Sequence, residues 1–301
     1  MEELVMKNSG LTVTIVMQAN SANYGESIGN VSSLKKLTRQ GGNQYTYISR
    51  QALRYNIVEQ FGETFATLGA EGSGDKKVIQ FSKDATIDKF PEIDFFGYMK
   101  TQKNANALTR SAKVRLSNAI SQEPYFGDID FLTNKGLADR MKNNGVDVNN
   151  SIAQSEIHEA YYAYTMTIDL DQIGVDDNYN INLSNAEKSR RVKKLLDVVQ
   201  YLYRDIRGRR EDLKPLFIIG GVYDLKNPLF ENAVRIKKNK VVVESINSVL
   251  ENKEIRDNTF VGMVPGIFEN DNEVREKLDA TNINSVIESL QKKVSDYYEG
   301  N

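Results

Sequence analysis

Arg50 and Arg54 stand four residues apart behind Ser49, with Gln51 between them, in the run Tyr47-Ile48-Ser49-Arg50-Gln51-Ala52-Leu53-Arg54. Leu53, Ile57, Phe61 and Phe65 follow at helical spacing, so Ser49 is the expected N-cap and both arginines share one face of the helix start. A helix start carries unpaired backbone N–H groups and partial positive charge, and the planar fork of a guanidinium matches phosphate oxygens. The pattern reads as a clamp for a phosphate backbone. Taken alone, the same residues also describe an ordinary capped helix with solvated arginines.

Other basic residues extend this reading. Lys35, Lys36 and Arg39 occupy the polar loop ahead of the helix, which also carries Asn23. Lys113 and Arg115 alternate with Ala112, Val114 and Leu116, placing both charges on one face of an expected strand over 110–120. The formal net charge is only −2, but its distribution is uneven. Residues 99–120 hold five basic and no acidic side chains, residues 184–210 nine basic against three acidic, and residues 244–301 twelve acidic against six basic. Binding follows local potential, so an acidic tail hides a basic surface in the total. Contacts of this kind confer affinity without sequence preference. The aromatic signature of RNA-recognition sheets is absent, so stacking on a sheet face is not the expected mode. Lys237, Lys238, Lys240 and much of 188–194 read as solvated faces. Gly220-Gly221 is no dinucleotide fingerprint; its expected role is to let another chain approach the strand end closely.

Enzymatic readings are weaker. No cysteine is present, and His158 is the only histidine, which excludes thiolate chemistry and histidine-rich metal sites. Residues 69–76 superficially resemble a phosphate loop, but Asp75 stands where the lysine is required. Asp128, Asp130, Asp169, Asp171, Asp176 and Asp177 are candidates for a two-metal nuclease; their settings among Asn and Gly are equally those of turns. No apolar run is long enough for a bilayer span, and Met1-Glu2-Glu3 does not begin a signal peptide, so the expected compartment is cytoplasmic with no membrane partner.

The positioning elements are read from periodicity. Leu11, Val13, Ile15, Met17 and Ala19 alternate as a strand over 11–19, and Tyr162, Tyr164, Met166, Ile168 and Leu170 as another over 160–170. Residues 20–44 read as a polar loop. Ser184 and Glu187 form a capping box opening a helix whose apolar stripe runs from Val192 to Ile206, and 215–222 is an apolar strand. The order strand, helix, strand, strand, helix, strand predicts an α+β fold, a modified RRM or ferredoxin-like βαββαβ domain, interrupted by two insertions. A strand pair (241–243 with 260–264) and a helix carrying Ile283, Val286, Ile287, Leu290 and Val294 are expected beyond it.

Four blocks carry a family resemblance: Leu11–Ala19 with Asn23-Tyr24-Gly25-Glu26; residues 48–54; Phe95-Phe96-Gly97-Tyr98-Met99 leading to 110–121; and Phe217-Ile218-Ile219-Gly220-Gly221-Val222-Tyr223. Their order and spacing resemble the RAMP-superfamily backbone subunit of type I Cascade, in the DevR or autoregulator branch of type I-B-like systems. The resemblance implies one elaborated RRM-like palm, with fingers over 62–107, a thumb over 121–157 and a C-terminal extension over 236–301. It implies polymerisation head to tail along a CRISPR RNA, with each thumb folding over RNA held by the next copy and target DNA reached through guide pairing. Partners would be other Cascade subunits and a separate helicase-nuclease. By position, Ser49, Arg50, Gln51 and Arg54 would grip phosphates. Related type III subunits cut RNA with an Asp after the first strand; residues 20–39 hold one acidic residue, Glu26, and no Asp. That departure favours a non-catalytic subunit without cofactor or metal. A metal-dependent ribonuclease of the type III kind and a generic module binding a small anion remain the alternative readings.

Overall fold

The computed structural model describes residues 9–20, 23–39, 41–71, 77–102 and 105–300; Met1-Glu2-Glu3 and residues 72–76 of the loop that resembles a phosphate loop lie outside them. β1 (Gly10–Ala19) is followed by β2 (Tyr24–Ile28), β3 (Val31–Leu34) and β4 (Lys36–Thr38), where a polar loop is expected. These strands are too short and too polar to show an alternating pattern. β5 (Gln44–Ile48) leads into α1 (Arg50–Phe61). The region after it is built of the hairpin β6–β7 (Leu68–Glu71, Val78–Phe81), α2 (Pro91–Phe96) and the hairpin β8–β9 (Tyr98–Gln102, Ala105–Arg110).

The expected strand 110–120 is broken into β10 (Val114–Leu116) and β11 (Ala119–Ser121), both paired with β14. Next come β12 (Ile129–Thr133), α3 (Lys135–Asn143) and β13 (Ile152–Glu156), then β14 (Ala160–Asp169) and the small hairpin β15–β16 (Val175–Asp176, Ile181–Asn182). α4 (Asn185–Gln200) starts at the expected cap, the Glu187 N–H donating to Ser184 Oγ at 3.3 Å. It ends earlier than its apolar stripe suggests. Tyr203 and Ile206 belong to β17 (Tyr203–Ile206), which pairs with β18 (Arg209–Asp212) through a two-residue turn in which Arg207 and Gly208 have φ of 49° and 76°. Two left-handed residues are the requirement of a type I′ hairpin.

After β19 (Phe217–Tyr223), the expected strand pair is replaced. β20 (Ile236–Lys237) pairs with β21 (Lys240–Val241), and α5 (Val243–Leu250) and α6 (Lys253–Asp257) follow. β22 (Thr259–Met263) pairs instead with β19, ahead of α7 (Asp271–Leu278) and α8 (Ile283–Glu299).

The fold is α+β around an antiparallel sheet of order β22-β19-β1-β14-β11-β5-β4, with β10 also on β14. Leu11, Val13, Ile15 and Met17 share a core with Leu53 and Ile57 of α1, Leu195 and Val199 of α4, and Leu290 of α8. The opposite face is also covered over its centre. Val16, Phe217 and Ile219 pack there with Phe230, Ile246 of α5 and Val274 of α7. Burying both faces explains why Thr12, Thr14 and Thr165 are sealed inside, Thr14 and Thr165 meeting hydroxyl to hydroxyl at 2.7 Å.

Candidate nucleic-acid interface

Ser49 caps α1 as expected: its backbone is extended (φ −66°, ψ 148°) and its hydroxyl accepts from the Ala52 N–H at 3.3 Å. The residues that hold this start come from elsewhere in the chain. The Ser49 N–H donates to Asn23 Oδ1 at 2.5 Å, and the Arg50 N–H to Asn118 Oδ1 at 2.9 Å. A backbone relay joins Asn23, Lys35 and Tyr47: Lys35 N–H to Asn23 O, Tyr47 N–H to Lys35 O, and Asn23 N–H to Tyr47 O. Asn23 is therefore a brace for the helix start. The expectation of several free N–H groups is corrected accordingly. Those of Arg50 and Ala52 are occupied within the chain.

Arg50, Gln51, Arg54 and Arg115 line one cleft of about 510 Å³, together with Phe96, Ala112, Val114 and Leu116. The sheet supplies one wall, α1 another, and α2 closes the end. Arg50 and Gln51 are exposed, and among the described residues their side chains have no hydrogen-bond or ionic partner. Arg54 lies over the Phe96 ring at 4.8 Å and 3.7 Å from Glu92, with its side chain 37% exposed. Burial lowers its pKa, and Glu92 opposes that shift. Arg115 is clasped by Asp169 through two parallel bonds of 2.8 and 2.9 Å, yet remains 47% exposed. These hydrogen bonds raise its pKa. Lys113 donates to Ser111 Oγ at 3.2 Å; burial and then the nearby Arg110 lower its pKa. The cleft thus holds one uncompensated guanidinium, Arg50, one weakly paired, Arg54, and one fully paired, Arg115.

The remaining candidates lie elsewhere. Lys36 is engaged by Glu156, 2.7 Å from both carboxylate oxygens, above the Tyr125 ring. Its charge is thus engaged within the chain. Arg39 packs over Tyr45 at 4.9 Å, and Lys35 is half-buried. The reading of Gly220 and Gly221 as backbone open to another chain is also corrected. Both are buried in β19. A Cβ would lie 2.1 Å from Thr12 O at Gly220 and 1.9 Å from Asn258 O at Gly221. Glycine is required there by close packing within this chain.

Three of the six candidate carboxylates are engaged within the chain. Asp169 holds Arg115, Asp171 meets Lys226 at 2.5 Å, and Asp176 accepts from the Tyr98 hydroxyl at 2.9 Å. Asp128 and Asp130 lie before and in β12, near the start of the ten-residue β14, whereas Asp169 stands at its far end, about 30 Å along the strand. Among the described residues no three His, Cys, Asp or Glu side chains gather to hold a metal ion. His158 is buried, its Nδ1 2.7 Å from Thr46 Oγ1 between the Tyr125 and Tyr162 rings, and burial lowers its pKa. Among the described residues no helix is long and apolar enough to cross a membrane.

Sequence reasoning overlooked Asn118, Glu92 and the pairing role of Asp169, because each acts across more than 30 residues of chain. It also overlooked Asp94. That carboxylate is fully buried, 2.8 Å from Arg110 and 2.9 Å from Arg191, and accepts from the Gly174 N–H, so it ties α2 and β9 to α4 beside the cleft.

The profile of a family described as CRISPR-associated negative auto-regulator DevR/Csa2 matches residues 11–245. The chain belongs to this family. Among curated proteins, none matches it in sequence. Its fold is similar to that of a chain in a solved structure titled "CRISPR RNA-guided surveillance complex, pre-nicking", at TM-score 0.60 and 11% identity, covering 95% of this chain and 100% of that one. A second, titled "CRISPR RNA-guided surveillance complex", aligns at TM-score 0.59 and 12% identity over 94% and 99% of the two chains. At such identity the likeness is one of fold. It spans nearly all of the DevR/Csa2-family chain, including most of the region after residue 245.

Proposed function

We propose that this protein is a non-catalytic, cytoplasmic subunit of a Cascade-type surveillance complex that binds the backbone of a CRISPR guide RNA and polymerises along it. The observation that carries this reading is the cleft in which Arg50, Gln51, Arg54 and Arg115 converge from α1 and β10. Guanidinium groups in a groove recognise phosphates whatever the base sequence, which suits a subunit that must accept any guide. The covered sheet face argues against base stacking there. The strand order β19-β1-β14-β10/β11, with α1 and α4 on one face, supports an RRM-type palm. On that reading, residues 62–107 are the fingers, 121–157 the thumb and 236–301 an extension that backs the sheet.

A filament needs two different contact patches on each copy. Phe131, Leu132, Leu137 and Ile152 are exposed on the second insertion, and Leu68, Val78, Ile79 and Met99 on the first. Separate apolar patches of this kind mark interaction surfaces and suit copies stacking head to tail. Target DNA would then be engaged by pairing with the held guide, and cleavage left to a separate helicase-nuclease. The engagement of Asp169, Asp171 and Asp176 within the chain supports a subunit without catalysis or a metal cofactor.

The test is to express the chain with its neighbouring operon proteins and a CRISPR array, purify it, and sequence any RNA that travels with it. Guide-length RNA on a high-mass assembly is the expected result. A monomer free of RNA would overturn the proposal.

A further inference from the structure

Residues 126–157 stand away from the body. Every residue of β12 is exposed. Among the described residues, no side-chain hydrogen bond or ion pair joins 129–152 to the rest of the chain. The backbone pairing of β13 with β3 is confined to Gln154 with Val31 and Ser155 with Ser32. The angle at which this insertion projects must be set at its root.

Glu156 occupies that root. One carboxylate oxygen accepts the Leu34 N–H at 2.7 Å, and both oxygens lie 2.7 Å from Lys36 Nζ. Its carbonyl accepts the Tyr24 hydroxyl at 3.1 Å. Lys36 sits over Tyr125, at the other root, at 4.6 Å. On the outer side the β17–β18 turn brings Arg207 onto the Tyr24 ring at 4.0 Å, and its guanidinium donates to Ser155 Oγ at 3.1 Å. We infer that Glu156 is a positioning residue, a latch which, through Lys36 and with Arg207 as brace, fixes the angle of the 126–157 insertion to the body. Resting on the proposed function, the latch presents the insertion to the neighbouring copy, so it governs assembly along RNA rather than affinity for a single copy.

The absence of native cysteine allows two spin labels, at Asn144→Cys on the insertion and Tyr201→Cys on the body, with their separation measured by double electron–electron resonance. One narrow distribution is expected for the parent chain, a broad or shifted one for Glu156→Gln and Lys36→Met, and a narrow one restored by Lys36→Arg, which keeps the charge. Arg207→Gln, which leaves the buried groups intact, should broaden the distribution even if the root substitutions impair folding. Unchanged distributions in Glu156→Gln, Lys36→Met and Arg207→Gln would overturn the latch. With RNA, the same variants should bind a short oligoribonucleotide as the parent does. They should lose about tenfold in cooperative binding to a long one, the equivalent of one charge-assisted hydrogen bond. Equal cooperativity in parent and variants would also overturn the latch. Failure of the parent to bind any RNA would overturn the proposed function, while the label distances would still decide the latch.

Discussion

Replacing Arg50 and Arg54 together by glutamine should flatten the salt dependence of RNA binding by an amount the cleft geometry sets. Arg50 is exposed and uncompensated, and Arg54 is only 3.7 Å from Glu92 and still partly open; both charges are free to displace counterions from a phosphate. For single strands, log K falls with log salt at about 0.7 per phosphate neutralised, so losing two contacts lowers the slope by about 1.4. Over the fourfold range from about 50 to 200 mM salt, the ratio of parent to variant affinity then shrinks about sevenfold. Arg50→Gln alone should account for a full contact. Arg54→Gln should account for somewhat less, because Glu92 at 3.7 Å already offsets part of its charge, so about 1.4 is the upper bound for the pair. The assay is fluorescence anisotropy of a labelled oligoribonucleotide too short to bridge two copies, titrated at four or five salt concentrations. Parallel lines for parent and double variant on a log–log plot would refute the clamp, whatever the difference in absolute affinity.

Arg115→Gln should weaken RNA binding by more than one lost contact, since it leaves Asp169 bare on the cleft wall; adding Asp169→Asn should recover most of the loss in the same anisotropy assay. Asp94→Asn leaves the buried Arg110 without its counter-charge and Arg191 with Glu187 alone; urea denaturation should show a loss of about 3–5 kcal/mol, the range for breaking a buried ion pair from one side. Glu187 is held down to about 2 by hydrogen bonds from Arg190 and then Arg191, against an ordinary value of 4.5. A carboxyl with a depressed folded-state pKa contributes stability that is complete above its unfolded value and lost as pH falls through the folded one. Melting temperatures taken between pH 5 and 2.5 should therefore fall more steeply for the parent than for Glu187→Gln.

Several features were legible because they are local. Ser49 as a cap, the strands over 11–19 and 160–170, the Ser184 cap and the last helix each follow from residues within a few positions of one another, where backbone geometry and side-chain period are enough. The apolar continuation past Gln200 misled for the complementary reason: Tyr203 and Ile206 keep a helical period, but Arg207-Gly208 adopts a left-handed turn whose benefit is realised only when β17 and β18 pair. The short strands within 20–44 were invisible because their stability lies in pairing with one another, with β5 and with β13, and not in their own composition.

The sequence by itself determined that arginines would stand at a capped helix start and that basic residues would cluster despite a near-neutral total. Which of those charges are available was decided only by the tertiary structure. Folding brings Glu156 to Lys36 across 120 residues and Asp169 to Arg115 across 54. It also walls Gly220 and Gly221 between β1 and the end of α6. A charge's capacity to bind a phosphate depends on whether a nearer carboxylate has already satisfied it, and that proximity is a property of the folded chain. Arg50 is the residue for which both levels agree: placed by the local sequence, and left without a partner by the fold.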